Sequence, residues 1–254
     1  MANLAFRPGE PRWMDMLSRH IDASVAFYTE LFGWTAEASP PEFGGYVEFS
    51  KDGNTVAGVM PRPADSGGDD SWTVYLEVAD AQATADAARA NGGEVIQSGD
   101  LDEIGSWLVL TDATGARVGG WQNGTHSGFQ IRTGPGAPVW HELHTRDFDR
   151  AVAFYEAVFG WQTDVLSDTP EFRFTTLGSG DDAVAGIFDA TEELAEIEPS
   201  FWDVYFGVAN ANESAVRVTE LGGTMLERVE ETPYGRIAHA VDPGGARFAI
   251  MQEP

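Results

Sequence analysis

Residues 13–34 read WMDMLSRHIDASVAFYTELFGW, and residues 140–161 read WHELHTRDFDRAVAFYEAVFGW. Ten of the 22 aligned positions are identical, and the offset of 127 residues is half of the 254-residue chain. Similarity at a fixed offset indicates an internal duplication, so the fold of one copy predicts the fold of the other.

The match between the two copies continues in the same order along the chain. VAG occurs at 56–58 and 184–186, WTVYLEV at 72–78 matches WDVYFGV at 202–208, and DATGARVGGWQ at 112–122 matches DPGGARFAIMQ at 242–252. The Gly- and Pro-rich stretch 124–137 between the copies is typical of a linker. We therefore predict two domains, a first copy at residues 10–123 and a second copy at residues 138–254.

Local patterns predict the same order of elements twice within each copy. Apolar residues recur at spacings of three and four between Ile21 and Phe32, which predicts an amphipathic helix. Asp22 is suited to cap the start of this helix and Gly33 to end it. Short alternating segments on either side indicate strands. The predicted fold class is α+β, built from tandem β-α-β-β-β modules.

The charge and composition of the chain exclude several classes of function. Asp and Glu number 41 against 15 Lys and Arg, for a net charge of -26, whereas nucleic acids and anionic membranes attract clustered positive charge. The absence of cysteine excludes disulfides, thiolate metal sites and a cysteine nucleophile. No signal peptide or membrane span is recognised in the sequence, which favours a cytoplasmic protein.

The duplicated modules, the FYxxxFGW phrase and the D-P-x-G turn before the last strand resemble the vicinal oxygen chelate superfamily. This superfamily includes glyoxalase I, bleomycin-resistance proteins and extradiol dioxygenases. The tandem form looks most like two-domain actinobacterial glyoxalase-like proteins, some of them described as hydroxylases. The resemblance implies two glyoxalase-like incomplete β-barrels, each curled around a cavity that often holds a divalent metal in the family.

The resemblance also implies where such a metal would be held, and most of those positions lack a donor. They are Trp13, Thr73, Gly119 and a third-strand position near Gly58 in the first copy, and Trp140, Asp203, Ala249 and a third-strand position near Gly186 in the second. Of these, Asp203 alone carries a strong metal ligand. We therefore expect no cofactor and no metal at the family's positions. A divalent metal at a nonstandard set, such as Glu142, His144 and Asp203, is not excluded.

Strand alternation places a chemically richer set of side chains in the second cavity than in the first. Glu142 and His144 share one strand face, and His239 and Asp203 are expected to face the same cavity. We predict catalytic or proton-transfer roles for His144, Glu142 and His239, because a histidine beside a carboxylate can act as a base near neutral pH. The predicted ligand contacts are Trp140, Asp203, Tyr205 and Met251. A satisfied internal network without a ligand is the structural alternative.

Three functions fit these residues. The first is a protein that binds a small apolar or aromatic molecule without the family's usual metal. The second is a cofactor-free or relocated-metal enzyme, such as a hydroxylase, dioxygenase, isomerase or lyase, that uses the histidine and carboxylate set. The third is an interaction module whose cavities are filled by Trp13 and Trp140. Tandem copies can pair within one chain, which predicts a monomer.

Overall fold

The computed structural model describes residues 4–63, 67–195 and 198–254, and it contains four β-α-β-β-β modules in those ranges. The first two modules comprise β1 (Pro11–Ser18), α1 (Ile21–Phe32), β2 (Thr35–Ala38), β3 (Val47–Lys51), β4 (Asn54–Pro61), β5 (Ser71–Glu77), α2 (Ala81–Ala90), β6 (Glu94–Asp100), β7 (Gly105–Thr111) and β8 (Arg117–Asn123). The other two comprise β9 (Pro138–Thr145), α3 (Phe148–Phe159), β10 (Thr163–Thr169), β11 (Phe172–Leu177), β12 (Ala185–Asp189), β13 (Phe201–Gly207), α4 (Ala211–Glu220), β14 (Thr224–Met225), β15 (Glu230–Thr232), β16 (Gly235–Val241) and β17 (Arg247–Gln252).

Each copy supplies one open sheet. The strand order is β2-β3-β4-β1-β5-β8-β7-β6 in an 8-stranded sheet, and β10-β11-β12-β9-β13-β17-β16-β14 in a 9-stranded sheet in which β15 pairs with β16. Each order runs from one edge strand to another, so neither sheet is a closed barrel. The predicted α+β class with tandem βαβββ modules is confirmed.

The chain also divides into two compact units that combine stretches of both copies. The first unit comprises Met1–Trp13, Val74–Ser127 and His141–Trp202, and the second comprises Met14–Thr73, Gly128–Trp140 and Asp203–Pro254. The first unit thus contains α2 and α3, and the second contains α1 and α4. The domain bounds 10–123 and 138–254 with the linker 124–137 stay a prediction.

Of the two residues predicted to bound α1, Gly33 is confirmed and Asp22 is wrong. Gly33 follows α1 with a left-handed φ of 66°, a conformation that a residue without a side chain adopts at little cost. Asp22 does not cap α1, because the helix begins at Ile21 and the capping position is His20, whose side chain makes no capping hydrogen bond. The Asp22 carboxylate lies in the first turn, where the helix dipole favours negative charge. In the described ranges, none of the helices has the length and apolar character needed to cross a bilayer.

A buried hydrogen-bonded chain links the motif residues of the first unit. The Trp202 indole N–H donates to the Tyr155 hydroxyl at 2.7 Å, and that hydroxyl donates to Oδ2 of Asp112 at 2.8 Å. Oδ1 of Asp112 accepts the backbone N–H groups of Thr114 and Ala116, so the same carboxylate also fixes the turn before β8. Burial raises the pKa of Asp112 and, together with the charge of Asp112, raises the pKa of Tyr155.

The second unit repeats this chain with the corresponding residues. The Trp72 indole N–H donates to the Tyr28 hydroxyl at 3.0 Å, and burial and the nearby charge of Asp242 raise the pKa of Tyr28. Oδ1 of Asp242 accepts the backbone N–H groups of Gly244 and Ala246. In both units a helix tyrosine of one copy therefore faces a turn aspartate of the other copy.

We expect Tyr155→Phe to lower the free energy of unfolding by about 1–3 kcal/mol, because two buried polar groups lose their shared partner. Tyr28→Phe should have a similar effect. Tyr234 is 52% exposed, and Tyr234→Phe should change stability by less than about 0.5 kcal/mol. Urea unfolding of the three variants checks this, and a Tyr155→Phe protein as stable as the wild type would contradict it.

Candidate functional site

A cluster of polar side chains in the second unit forms around His239 on β16. Strand register places Tyr205, Ala249 and His239 side by side on β13, β17 and β16. Because the side chain between them is only a methyl group, the Tyr205 hydroxyl comes within 3.3 Å of Nε2 of His239. Tyr205 is 4% exposed, so this contact is shielded from water.

Two carboxylates face opposite nitrogens of the His239 ring. Oε1 of Glu227 lies 2.5 Å from Nδ1 and also accepts the His239 backbone N–H at 3.2 Å. Oδ2 of Asp203 lies 3.6 Å from Nε2 and 3.8 Å from Nε of Arg247. The Asp203 side chain is fully buried, and its Oδ1 accepts the backbone N–H of Val204. The imidazole is therefore held between two negative groups.

This arrangement shifts the pKa values of His239 and Glu227 in opposite directions. Burial lowers the pKa of His239, but the hydrogen bond to Glu227 and the charges of Asp203 and Glu227 outweigh burial, so the pKa of His239 is raised. The hydrogen bond from His239 lowers the pKa of Glu227. A histidine that binds a proton this readily, next to a tyrosine hydroxyl, can donate or accept a proton near neutral pH.

The first copy has the same strand register but different side chains. Tyr75, Gly119 and Val109 lie side by side on β5, β8 and β7, in the places of Tyr205, Ala249 and His239. Valine offers neither a proton nor a hydrogen bond, so the arrangement of strands does not require the polar cluster. The difference between the copies agrees with a special role for the second copy.

Glu142 and His144 form a separate group in the first unit. Oε1 of Glu142 lies 3.1 Å from Nε2 of His144, and both side chains are largely buried. The His144 ring stacks on Phe201 at a centroid distance of 4.9 Å and an interplanar angle of 8°, and it meets the edge of Phe188 at 5.5 Å. The predicted pairing of Glu142 with His144 is therefore present, inside an aromatic environment that the sequence analysis did not describe.

Trp140 and Met251, the remaining predicted ligand contacts, lie on β9 and β17 and are half-buried. Asp203, Tyr205 and His239 are brought together in the second unit, and Glu142 and His144 in the first unit. That both groups and these two side chains serve one ligand stays a prediction.

The tryptophan at the corresponding position of the first copy is packed against a histidine. Trp13 is 3% exposed and meets His126 edge-on at 4.6 Å. Trp121 also meets the His126 ring edge-on, at a centroid distance of 5.4 Å, and donates its indole N–H to the His126 carbonyl oxygen. Trp13 and Trp121 thus fill space together with His126, in agreement with a structural role for Trp13.

The positions at which the resemblance implies metal ligands do not suit a metal in the first copy. A side chain at Gly119 would begin 2.2 Å from the Tyr75 ring, and one at Gly58 would begin 1.8 Å from the Tyr46 hydroxyl. Tyrosine rings occupy the room that a ligand side chain would need. In the second copy, Trp140 and Ala249 carry no donor for a hard cation, which leaves Asp203 as the one strong ligand among the matching positions. The family's usual metal set does not fit this chain.

Three residues carry donor atoms of the kind that binds divalent transition metals. They are His144 in the first unit and Asp203 and His239 in the second.

Two clefts of about 280 and 220 Å³ occur on the units, one on each. The larger is lined by residues near α2 that include Pro8 and Thr84, and the smaller by residues near α4 that include Pro135 and Asn210. Neither cleft is lined by a predicted site residue, so the candidate site rests on side-chain chemistry rather than on cleft volume.

Comparison with known proteins identifies the family. The model of the Glyoxalase/Bleomycin resistance protein/Dioxygenase superfamily matches residues 12–118 and 137–250, one match in each copy. The chain belongs to this superfamily. The predicted resemblance is confirmed, together with the tandem arrangement.

Individual relatives agree with this family. "Anthracycline biosynthesis protein DauV" of Streptomyces sp. strain C5 is 36% identical over 267 residues, which cover 97% of this chain and 94% of DauV. Among solved structures, the Mn(II)-bound glyoxalase from Novosphingobium aromaticivorans aligns with a TM-score of 0.66 at 16% identity, over 98% of this chain and 83% of that one. The 2,2',3-trihydroxybiphenyl 1,2-dioxygenase from Sphingomonas wittichii strain RW1 aligns with a TM-score of 0.65 at 13% identity, over 97% and 91%. At such identities the two structures show the fold alone.

Sequence reasoning missed Glu227, Arg247 and Phe201. Glu227 lies between β14 and β15, in a segment without regular alternation, so no periodic pattern indicates where its carboxylate points. Phe201 could have been found, because it directly precedes the repeated Trp202 motif on the predicted strand.

We expect His239 to titrate above its ordinary pKa of 6.5 in a proton-detected NMR titration. Glu227→Gln removes the hydrogen-bonded charge and should lower the pKa of His239, whereas Glu230→Gln, an exposed change on β15, should leave it unaltered. Because the pKa of His239 is raised and that of Glu227 is lowered in the folded state, the pair stabilises the protein fully between pH 4.5 and pH 6.5. This stabilisation is lost as the pH rises through the raised pKa of His239 and as it falls through the lowered pKa of Glu227. A His239 pKa that Glu227→Gln does not lower would contradict the account.

Proposed function

We propose that this protein binds a small aromatic or apolar molecule through its second copy, without a metal at the family's usual positions. The observation that carries the proposal is the Tyr205–His239–Glu227 group beside buried Asp203, because the matching register of the first copy keeps a tyrosine, Tyr75, but has Val109 at the place of His239. Fixed polar groups among apolar strand residues are typical of sites that orient a largely apolar ligand.

We extend the proposal to the Glu142–His144 pair of the first unit, whose facing atoms lie 3.1 Å apart. His144 would act as a base or hydrogen-bond donor that Glu142 orients, while His239 and Asp203 would contact polar groups of the ligand. Trp140 and Tyr205 would supply aromatic walls, and Met251 an adaptable apolar contact.

The name of the relative DauV suggests a ligand class. That protein is named for anthracycline biosynthesis and is 36% identical over almost the whole chain. We therefore propose a planar aromatic ligand, although superfamily membership alone does not define one. A monomeric state is part of the proposal and rests on the tandem copies.

A second candidate function is an enzyme that uses the same residues. The close contact of Glu227 with Nδ1 of His239, which raises the pKa of the imidazole, favours proton transfer at Nε2 beside the Tyr205 hydroxyl. Such a group can deprotonate an acidic position of a bound molecule or protonate a leaving group. This would make the protein an isomerase, a lyase or a cofactor-free oxygenase.

Binding of 1,8-dihydroxyanthraquinone, followed by quenching of tryptophan fluorescence, tests the proposed function. We expect saturable binding by the wild type and at least about tenfold weaker binding by His144→Ala and His239→Ala, a loss of about 1.4 kcal/mol for each. The matched changes in the first copy, Asp15→Ala and Val109→Ala, should leave the affinity unchanged. Absence of binding, or binding that Asp15→Ala abolishes and His144→Ala leaves intact, would refute the proposal. Conversion of the bound probe would favour the enzyme.

Metal analysis tests the other half of the proposal. Protein purified without a His tag should contain less than stoichiometric Mn, Fe, Ni or Zn, because the family's ligand positions are occupied by Trp13, Thr73, Gly119, Trp140 and Ala249. A chelator should not change the affinity for the probe. A stoichiometric metal that Asp203→Ala removes would overturn this expectation and would favour a relocated-metal enzyme.

A further inference from the structure

We propose that five side chains of the first unit form a stacking surface for a planar, fused-ring, hydroxylated molecule. The surface, called the aromatic row below, consists of Phe172, Phe174, Phe188, His144 and Phe201. This inference rests on the proposed function and deepens it, because it names the residues that select the number of fused rings in the ligand.

Strand register brings the aromatic row together. Phe174 on β11 is paired with Phe188 on β12, and Phe188 is paired with His144 on β9. Phe172 precedes Phe174 by two residues, so both project from the same face of β11. These four rings therefore follow one another across three neighbouring strands, and Phe201 lies on β13, the next strand in the sheet.

The ring geometry is continuous from one end of the row to the other. Phe172 and Phe174 are stacked at 5.7 Å with an interplanar angle of 11°, and both contact Phe188, at 5.9 and 6.2 Å. Phe188 meets His144 edge-on at 5.5 Å, and His144 stacks on Phe201 at 4.9 Å. These are the distances and angles at which aromatic rings attract one another.

The two ends of the row differ in polarity. Phe172 is 39% exposed at one end, while Phe174 is buried and the other rings are half-buried, so a ligand reaches the row from the Phe172 end. The other end carries the Glu142–His144 pair, whose facing atoms lie 3.1 Å apart. A ligand that matches one apolar end and one polar end has a flat apolar body and a hydroxyl group at one edge. The net charge of -26 disfavours carboxylates and phosphates, so the ligand is neutral or cationic.

The first copy shows that the fold does not need the aromatic row. There the pair that corresponds to Phe188 and His144 is Met60 and Leu17, in the same parallel register. Ser71 precedes Trp72 where Phe201 precedes Trp202. At these three positions the second copy has aromatic rings where the first copy folds with aliphatic or polar residues.

The test compares the affinities of a one-ring and a fused-ring phenol. Catechol and 1,8-dihydroxyanthraquinone are titrated into the full chain by tryptophan fluorescence. We expect the wild type to bind the anthraquinone at least tenfold more tightly than catechol. Phe172→Leu and Phe188→Leu should weaken anthraquinone binding about tenfold each and leave catechol binding within about twofold, because leucine keeps the apolar volume but not the ring face.

Control variants separate stacking from folding. Met60→Leu is the matched change in the first copy and should alter neither affinity, while Phe188→Tyr keeps a ring and should retain anthraquinone binding. Phe172 is exposed, so Phe172→Leu should not alter the melting temperature. If the wild type binds the anthraquinone and the leucine variants bind it equally well, the aromatic row is refuted and the proposed function stands. If the wild type binds neither phenol, both are refuted.

Discussion

The buried chain from a tryptophan indole through a tyrosine hydroxyl to a turn aspartate is the interaction on which the rest of the structure depends. Trp202, Tyr155 and Asp112 form it in the first unit, and Tyr28 lies between Trp72 and Asp242 in the second. A buried polar group without its partner lowers the stability of the fold, so the three residues must be present together. This requirement explains why the FY phrase, the strand tryptophan and the D-x-x-G turn all recur in both copies.

Because the two copies share this framework, the residues that differ between them are where function can be sought. Val109 in the first copy is equivalent to His239 in the second, and Leu17 is equivalent to His144. One copy has aliphatic side chains at these places, and the other has groups that bind protons. The tyrosine side chains over Gly58 and Gly119 occupy the room that metal-ligand side chains would need at those positions.

The duplication made most of the fold predictable from the sequence, since each copy confirms the pattern of the other. Alternation along β9 also predicted the pairing of Glu142 with His144. Alternation could not find Glu227, because its position depends on an irregular segment that is pinned beside β16 by the hydrogen bond from the Leu226 N–H to the His239 carbonyl oxygen. Asp22 was assigned as a helix cap because its type suits that role, but the helix begins one residue earlier. The aromatic row is brought together from four strands, which no single segment of sequence contains.

The central claim is that ligand recognition lies in the second copy, and the indole N–H resonances of the eight tryptophans test it most directly. In a titration with 1,8-dihydroxyanthraquinone, assigned proton–nitrogen NMR spectra report each indole separately. The account predicts that the Trp140 indole signal shifts in a saturable manner, while the signals of Trp13 and Trp121 in the first copy do not move. Saturable shifts of Trp13 and Trp121 with an unchanged Trp140 signal would contradict it.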